Sequence, residues 1–510
     1  MKILRTICLF AVTLLLSACG ATNEIYYEGG DLVWISTADA FSLDPHRTND
    51  IPSLTFQSQI FEGLVTFNAY DELIPKLAES FEMIDPTTWQ FDIRRGVYFS
   101  DGYPLNAYAV VRSFQRFVSD ELASPGAAII DMVTGFYEID NYTVHITTLF
   151  PFSPLPSHLT TSGGFIVSPA SINAEENGTI YINENPIGTG PFLLYHRNHG
   201  YDAVFIRNDN YWGISPYINT LTIRSIPESA TRLAMIEAGE AHGLNAAAVE
   251  IPAIRYIPHA SYMTRPGAFT EYIAFNVRNE GPLQNPLVRQ AIALAIDLDE
   301  MIQIMEGLAT PAATMAGPLI AFSPTNVSPI EFNQQLAREL LEQTPYAYGT
   351  TLNFWYNSGS AIRTQIAELV HFYLAQIGIE VEILSMEFGA YLAAIAEGEH
   401  DMFVLNWGAT TGDADRAFHP LYHSSNHGAA GNRSFINDLS LDTLLDTGRE
   451  ASDPQQRYQI YEEIAYFLHN EIPMLPLWHI TAVFAYSGIE GLEFDIFRSL
   501  PRFTNVRIID

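Results

Sequence analysis

Lysine is almost missing from this chain. Of 25 basic residues only Lys2 and Lys76 are lysines, leaving 23 arginines against 58 acids and a formal charge of −33. Neither lysine follows a glycine, so no phosphate-cradling Gly-x-x-x-x-Gly-Lys loop exists, and a Schiff-base lysine would have to be Lys76. A field of this sign repels phosphate backbones, which excludes nucleic acid as a partner. Cysteine is nearly as scarce. Cys8 and Cys19 both fall in the first nineteen residues, so the body of the chain has no disulfide. Also absent are Gly-x-Ser-x-Gly, His-Glu-x-x-His and Cys-x-x-Cys, and beyond the N-terminus there is no apolar run of about 18 residues. A soluble body without enzymatic chemistry is expected.

What is present is material for large cores. The 510 residues are 48% hydrophobic and 12% aromatic, enough for two or three domains. Lys2 and Arg5 precede an apolar stretch at residues 7–16, which reads as an export signal over 1–18. It ends Leu16-Ser17-Ala18-Cys19, similar to a bacterial lipobox, in which Cys19 is lipidated. An ordinary secretory cleavage after small residues is the alternative. Residues 19–30 are small and polar, suited to a tether.

Strand and helix patterns then alternate. Residues 31–36 read as a buried strand, 89–93 alternate apolar and polar, and Leu233 and Ile236 share one helical face before Gly239. Ile366, Leu369, Val370, Tyr373, Leu374 and Ile377 mark an amphipathic helix that Gly378 is placed to end. Ile379, Val381 and Ile383 alternate with Glu380 and Glu382. A short helix follows to Gly398, then a strand at 402–405 that delivers Asn406, Trp407 and Gly408 into a polar loop. This order predicts an α/β layer with crossover connections, in which ligands gather at the carboxyl ends of strands.

Several segments together resemble the dipeptide- and oligopeptide-binding lipoproteins that feed ABC importers, a group with glutathione- and nickel-binding members. They are Leu43-Asp44-Pro45-His46, Phe61-Glu62-Gly63-Leu64, Pro75-Lys76-Leu77-Ala78, Arg95-Gly96-Val97-Tyr98-Phe99, Gly188-Thr189-Gly190-Pro191, Asn210-Tyr211-Trp212-Gly213, Phe275-Asn276-Val277 and Asn406-Trp407-Gly408. The resemblance spans essentially the whole mature chain. It implies a two-lobed, periplasmic-binding-protein-like clamp of type II. Lobe I would comprise 31–60, 186–270 and 480–510, with an extra subdomain at 61–185, and lobe II would comprise 271–479. The crossings fall near Thr270 and His479. The implied function is capture of a short peptide or peptide-like solute, possibly glutathione-like, for delivery to a permease. The protein would be a monomer without a cofactor, held outside the membrane by its N-terminal lipid alone.

Candidate ligand contacts follow from this reading. Asn406, Trp407, Thr410, Thr411, Asp413 and Asp415 occupy the loop after the strand. Peptide-binding relatives usually carry an aspartate three residues after this tryptophan, to receive the ligand's ammonium. Here Thr410 offers a hydroxyl without counter-charge. Asp413 and Asp415 are the substitutes, or else they are turn and capping residues. Ser360 and Arg363 lie at the N-terminus of the amphipathic helix that Gly378 ends, where free amides and a guanidinium attract carboxylates, unless Ser360 is a simple cap and Arg363 solvated. Asp39, Ala40 and Phe41 follow the first strand, an edge that in the resemblance pairs with ligand backbone. His419, His423 and His427 recur every four residues, but Pro420 and Gly428 interrupt that pattern, and 422–431 reads as loop. No metal site is therefore assigned. A metal-chelate receptor and, more remotely, a secreted hydrolase using Asp413, Asp415 or His419 remain as alternatives.

Overall fold

A computed structural model describes residues 29–246 and 250–509. The expected export signal, Cys19 and all of the expected tether except its last two residues lie outside the described residues.

Local periodicity becomes local structure in the expected places. The helix Ala361–Ala375 buries Ile366, Val370, Tyr373 and Leu374. Gly378 then takes φ 86°, a left-handed conformation that costs glycine little. Strand Ile379–Met386, helix Phe388–Glu397 and strand Met402–Gly408 follow. Thr350–Asn357 pairs in parallel with both of those strands, as helical crossovers require.

These strands belong to one eleven-stranded mixed sheet that runs through the molecule. At its centre Ala260–Phe275 and Met474–Ser487 pair antiparallel. Beyond one end lie Met402–Gly408, Thr350–Asn357 and Ile379–Met386. Beyond the other lie Gly243–Ala246, Asp31–Ser36 and the hairpin strands up to Phe192–Asn198. The central pair changes register between Pro266 and Thr270. Proline withholds an amide there, and a Cβ on Gly267 would stand 2.5 Å from the Ile480 carbonyl oxygen. The ribbon therefore bends where Thr270 pairs with His479.

Separate cores lie on either side of that bend. Helices Pro286–Ala295 and Ala361–Ala375 cover one sheet face around Phe354, Val404 and Trp478. Helices Ala414–Tyr422 and Pro454–Glu471 help cover the other around Tyr272, Phe403 and Phe418. Trp34, Phe205, Leu221 and Phe484 centre a third core. A fourth belongs to a four-stranded antiparallel sheet backed by helix Ala107–Phe117, with Phe91, Phe114 and Val144 inside.

The motifs that carried the resemblance include internal ties. Glu62 accepts hydrogen bonds from Tyr211 Oη at 2.7 Å, Trp212 Nε1 at 2.8 Å and Thr189 Oγ1 at 2.8 Å, and pairs with Lys76 at 3.1 Å. Four dispersed segments thus meet on one carboxylate, and Lys76 is committed to it. Asp44 is buried and gripped by Arg116, which holds its carboxyl below the ordinary range although burial opposes ionisation.

Two elements differ from the sequence reading. Met402–Gly408 stays paired through Asn406, Trp407 and Gly408, so these residues end a strand rather than start a loop. Helix Ala414–Tyr422 continues through Pro420. Its ring lies in the last turn, where only one intrahelical hydrogen bond is lost.

Candidate functional site

Two cavities flank the carboxyl end of Met402–Gly408, on opposite faces of the strand because successive side chains alternate. One, of about 350 Å³, is lined by Asn245, Glu271, Arg363, Asn406, Trp478 and Ser499, among others. The other, of about 510 Å³, is lined by Trp407, Thr410 and Arg416 together with Asn49, Ser162 and Arg498, among others. The two share no lining residue.

In the smaller cavity Ser360 caps its helix by accepting the Arg363 amide at 3.3 Å. Arg363 is not solvated. Its Nε donates to Glu271 at 2.8 Å and its Nη1 to Asn357, and both ion-pair partners are buried. Glu271 faces Asn406 on one neighbouring strand and Trp478 on the other, so strand pairing places all three at the cavity. Sequence reasoning missed Glu271 and Trp478 because that register is set across some two hundred residues.

The larger cavity is organised by Pro420. A helix proline cannot donate to the carbonyl four residues earlier, which here is that of Arg416. Trp407 Nε1 donates to that free oxygen at 2.7 Å. The Arg416 guanidinium in turn lies over the Trp407 ring, 4.6 Å from its centroid. Burial pushes this guanidinium below its ordinary range, with Asp415 opposing. No feature of the sequence singled Arg416 out.

The loop acids point elsewhere. Asp413 accepts the Asp415 amide at 2.8 Å as a helix cap, and Arg457 grips both its oxygens at 2.6 and 2.7 Å. Asp415 is buried between Arg449 at 3.0 Å and His158 at 3.4 Å. Burial opposes its ionisation, yet Arg449, His158 and His419 more than offset that and hold the carboxyl far below the usual range. Thr411 is fully buried with an unpartnered hydroxyl, whereas Thr410 lines the cavity. Asp39 accepts from Arg197 at 3.1 Å and from the Gly200 amide at 2.9 Å. Ala40 is buried, and Phe41 is 83% exposed. None of these three residues lines either cavity.

Because the helix continues past Pro420, His419 and His423 stack at 4.6 Å, and Asp446 joins them within 4.8 Å. His427 turns away to the Ile436 carbonyl at 2.9 Å. Arg449 Nη1 stands 3.1 Å from His419 Nε2. Among the described residues no helix is long and apolar enough to cross a membrane.

Comparison with known proteins agrees with this architecture. Residues 72–429 match the bacterial extracellular solute-binding proteins, family 5 Middle. The glutathione-binding protein GsiB of Shigella dysenteriae is 28% identical over 478 residues, covering 91% of each chain. DppA from Helicobacter pylori, solved in complex with peptide STSA, is 27% identical, with a TM-score of 0.81 over 95% of this chain and 99% of that one. NikA from Brucella suis, solved with Fe(III)-EDTA, is 25% identical, with a TM-score of 0.83 over 94% of this chain and all of the other.

Proposed function

Because the chain belongs to the family 5 bacterial extracellular solute-binding proteins, we propose that it is the receptor of an ABC importer for short peptides or peptide-like solutes, closing its lobes around the ligand and presenting it to the permease. Family membership makes it a transport binding protein rather than an enzyme. The observation that carries the ligand class is the placement of Trp407 and Thr410 in a cavity of about 510 Å³. That space is large enough for a few residues, with an aromatic face and a hydrogen-bonding hydroxyl on one wall. GsiB and DppA, with their glutathione and peptide ligands, support the reading. Asn406, Ser360 and Arg363 line the cavity on the other face of the strand, a second candidate surface for ligand contact.

The lobes are those bounded by 31–60, 186–270 and 480–510 on one side and 271–479 on the other, with 61–185 as the subdomain. The core around Phe354 and Trp478, whose buried residues all fall within 271–479, and the bend at Thr270 and His479 support that division. Lipidation of Cys19 holds a monomer at the outer face of the cell membrane. Native mass spectrometry after incubation with a mixed peptide library tests the function. Retention of intact short peptides is expected. Cleaved peptide, or a complete lack of retention, overturns it.

A further inference from the structure

The cavity beneath Trp407 has the opposite charge character to the rest of the protein. The chain carries −33 overall, yet the charged groups lining this cavity are Arg416, Arg449, Arg498 and a single acid, Asp131, with His419 held towards its neutral form by burial. Two of the arginines are already neutralised, Arg449 by Asp415 at 3.0 Å and Arg498 by Asp495. Arg416 is not. Among the described residues no carboxylate lies within ion-pair distance of its guanidinium, and its Nε is buried without a hydrogen-bond partner.

The group is also fixed in place. The Arg416 carbonyl binds the Trp407 indole, and the guanidinium lies over the same ring. Holding a cation half-buried and unpaired costs free energy that a bound anion offsets. Of the loop acids only Asp415 acts on the Arg416 charge, from beyond ion-pair distance. Thr410 is neutral, Asp413 is consumed by Arg457, and Asp415 by Arg449 and His158.

Resting on the reading that this is a receptor for peptide-like solutes, we propose that Arg416 and Trp407 form an anion subsite that takes a carboxylate at the anchored end of the ligand. The guanidinium supplies charge-assisted hydrogen bonds, the ring covers the apolar part of that end, and Thr410 adds a hydrogen bond. The preferred solutes are acidic or N-acylated peptides whose leading group is a carboxylate rather than an ammonium.

Titration calorimetry of Ala-Ala-Ala and N-succinyl-Ala-Ala-Ala tests this. The wild-type protein is expected to bind the succinylated peptide about ten-fold or more tightly than the free-amine peptide. Arg416→Gln should remove that preference, while Arg416→Lys keeps part of it. A wild-type preference for the free amine, or equal affinities in both proteins, overturns the proposal. A second measurement needs no peptide. Iodide quenching of the Trp407 fluorescence, isolated by difference from Trp407→Phe, should exceed quenching by caesium and fall to the caesium level in Arg416→Gln. Iodide quenching that survives the substitution unchanged also overturns it. If neither peptide binds the wild-type protein, the peptide reading fails, and the iodide comparison alone decides the anion subsite.

Discussion

Thr270 Oγ1 and His479 Nδ1 lie 2.8 Å apart, one on each of the two long strands, at the point where the central ribbon bends. The Thr270 hydroxyl has one proton, and the Met315 carbonyl accepts it at 3.1 Å. His479 is therefore the donor in this pair, a neutral imidazole protonated at Nδ1. Burial pushes its pKa down from 6.5 to about 4, which keeps it in that neutral form.

The first prediction follows from that shift. Between pH 6.5 and 4 the unfolded chain binds a proton at His479 that the folded protein refuses, so stability rises with pH across this window and is lost as pH falls through it. A drop from 6.5 to about 4 corresponds to about 3 kcal/mol. His46, buried and likewise lowered to about 4, acts in the same direction. Urea unfolding at pH 4.5 and pH 7 checks this, with His479→Gln expected to shrink the difference. An unchanged pH dependence in that variant sinks the assignment.

The second concerns Asp413. Both its oxygens are held by Arg457, and both side chains are buried. Asp413→Asn leaves a buried guanidinium without its counter-charge, at a cost of about 3–5 kcal/mol in stability. Chemical denaturation should show that loss, while affinity per folded molecule is retained. Weakened ligand binding at full stability would instead place Asp413 in the site.

How much of this was legible from residue order depends on the range of the interaction. Helix 361–375, its stop at Gly378 and the strand after it follow from local periodicity and were readable. The end of strand 402–408 was not, because pairing of Asn406 with Glu271 and Trp407 with Thr270 holds residues that look loop-like. The capping role of Asp413 was legible as an alternative, but the ion pairs of Asp413 and Asp415 were not, because their partners Arg457, Arg449 and His158 lie 34 to 257 positions away. Arg416 was invisible for another reason. Its role comes from the carbonyl that Pro420 vacates, and a proline in a helical pattern reads first as a break.

A third prediction uses that carbonyl. Trp407→Ala should weaken peptide binding by about 2 kcal/mol with little change in unfolding temperature, since the ring is only half-buried. Pro420→Ala should leave the helix intact but restore an amide that competes with the indole for the Arg416 oxygen. The Trp407 emission is then expected to shift and affinity to fall part of the way. Trp407→Ala that binds normally but unfolds early makes the ring a packing residue.

A fourth concerns metals. His419, His423 and Asp446 present two nitrogens and a carboxylate oxygen within 4.8 Å, a set that suits zinc or nickel by ligand type. Two features oppose loading. The Arg449 guanidinium is 3.1 Å from His419 Nε2, so an ion there must displace a cation already hydrogen-bonding the ligand nitrogen. Asp415 holds that arginine in place from its other side. The unmodified protein should therefore gain no thermal stability from excess zinc or nickel, whereas binding at a hundred-fold excess over the dissociation constant gives about 2.7 kcal/mol. Arg449→Gln removes the competing charge. Compared with its own metal-free state, this variant should be stabilised by zinc. A nickel-dependent rise in the wild-type unfolding temperature, abolished by His423→Ala, would reverse the argument and make the metal-chelate receptor the better reading.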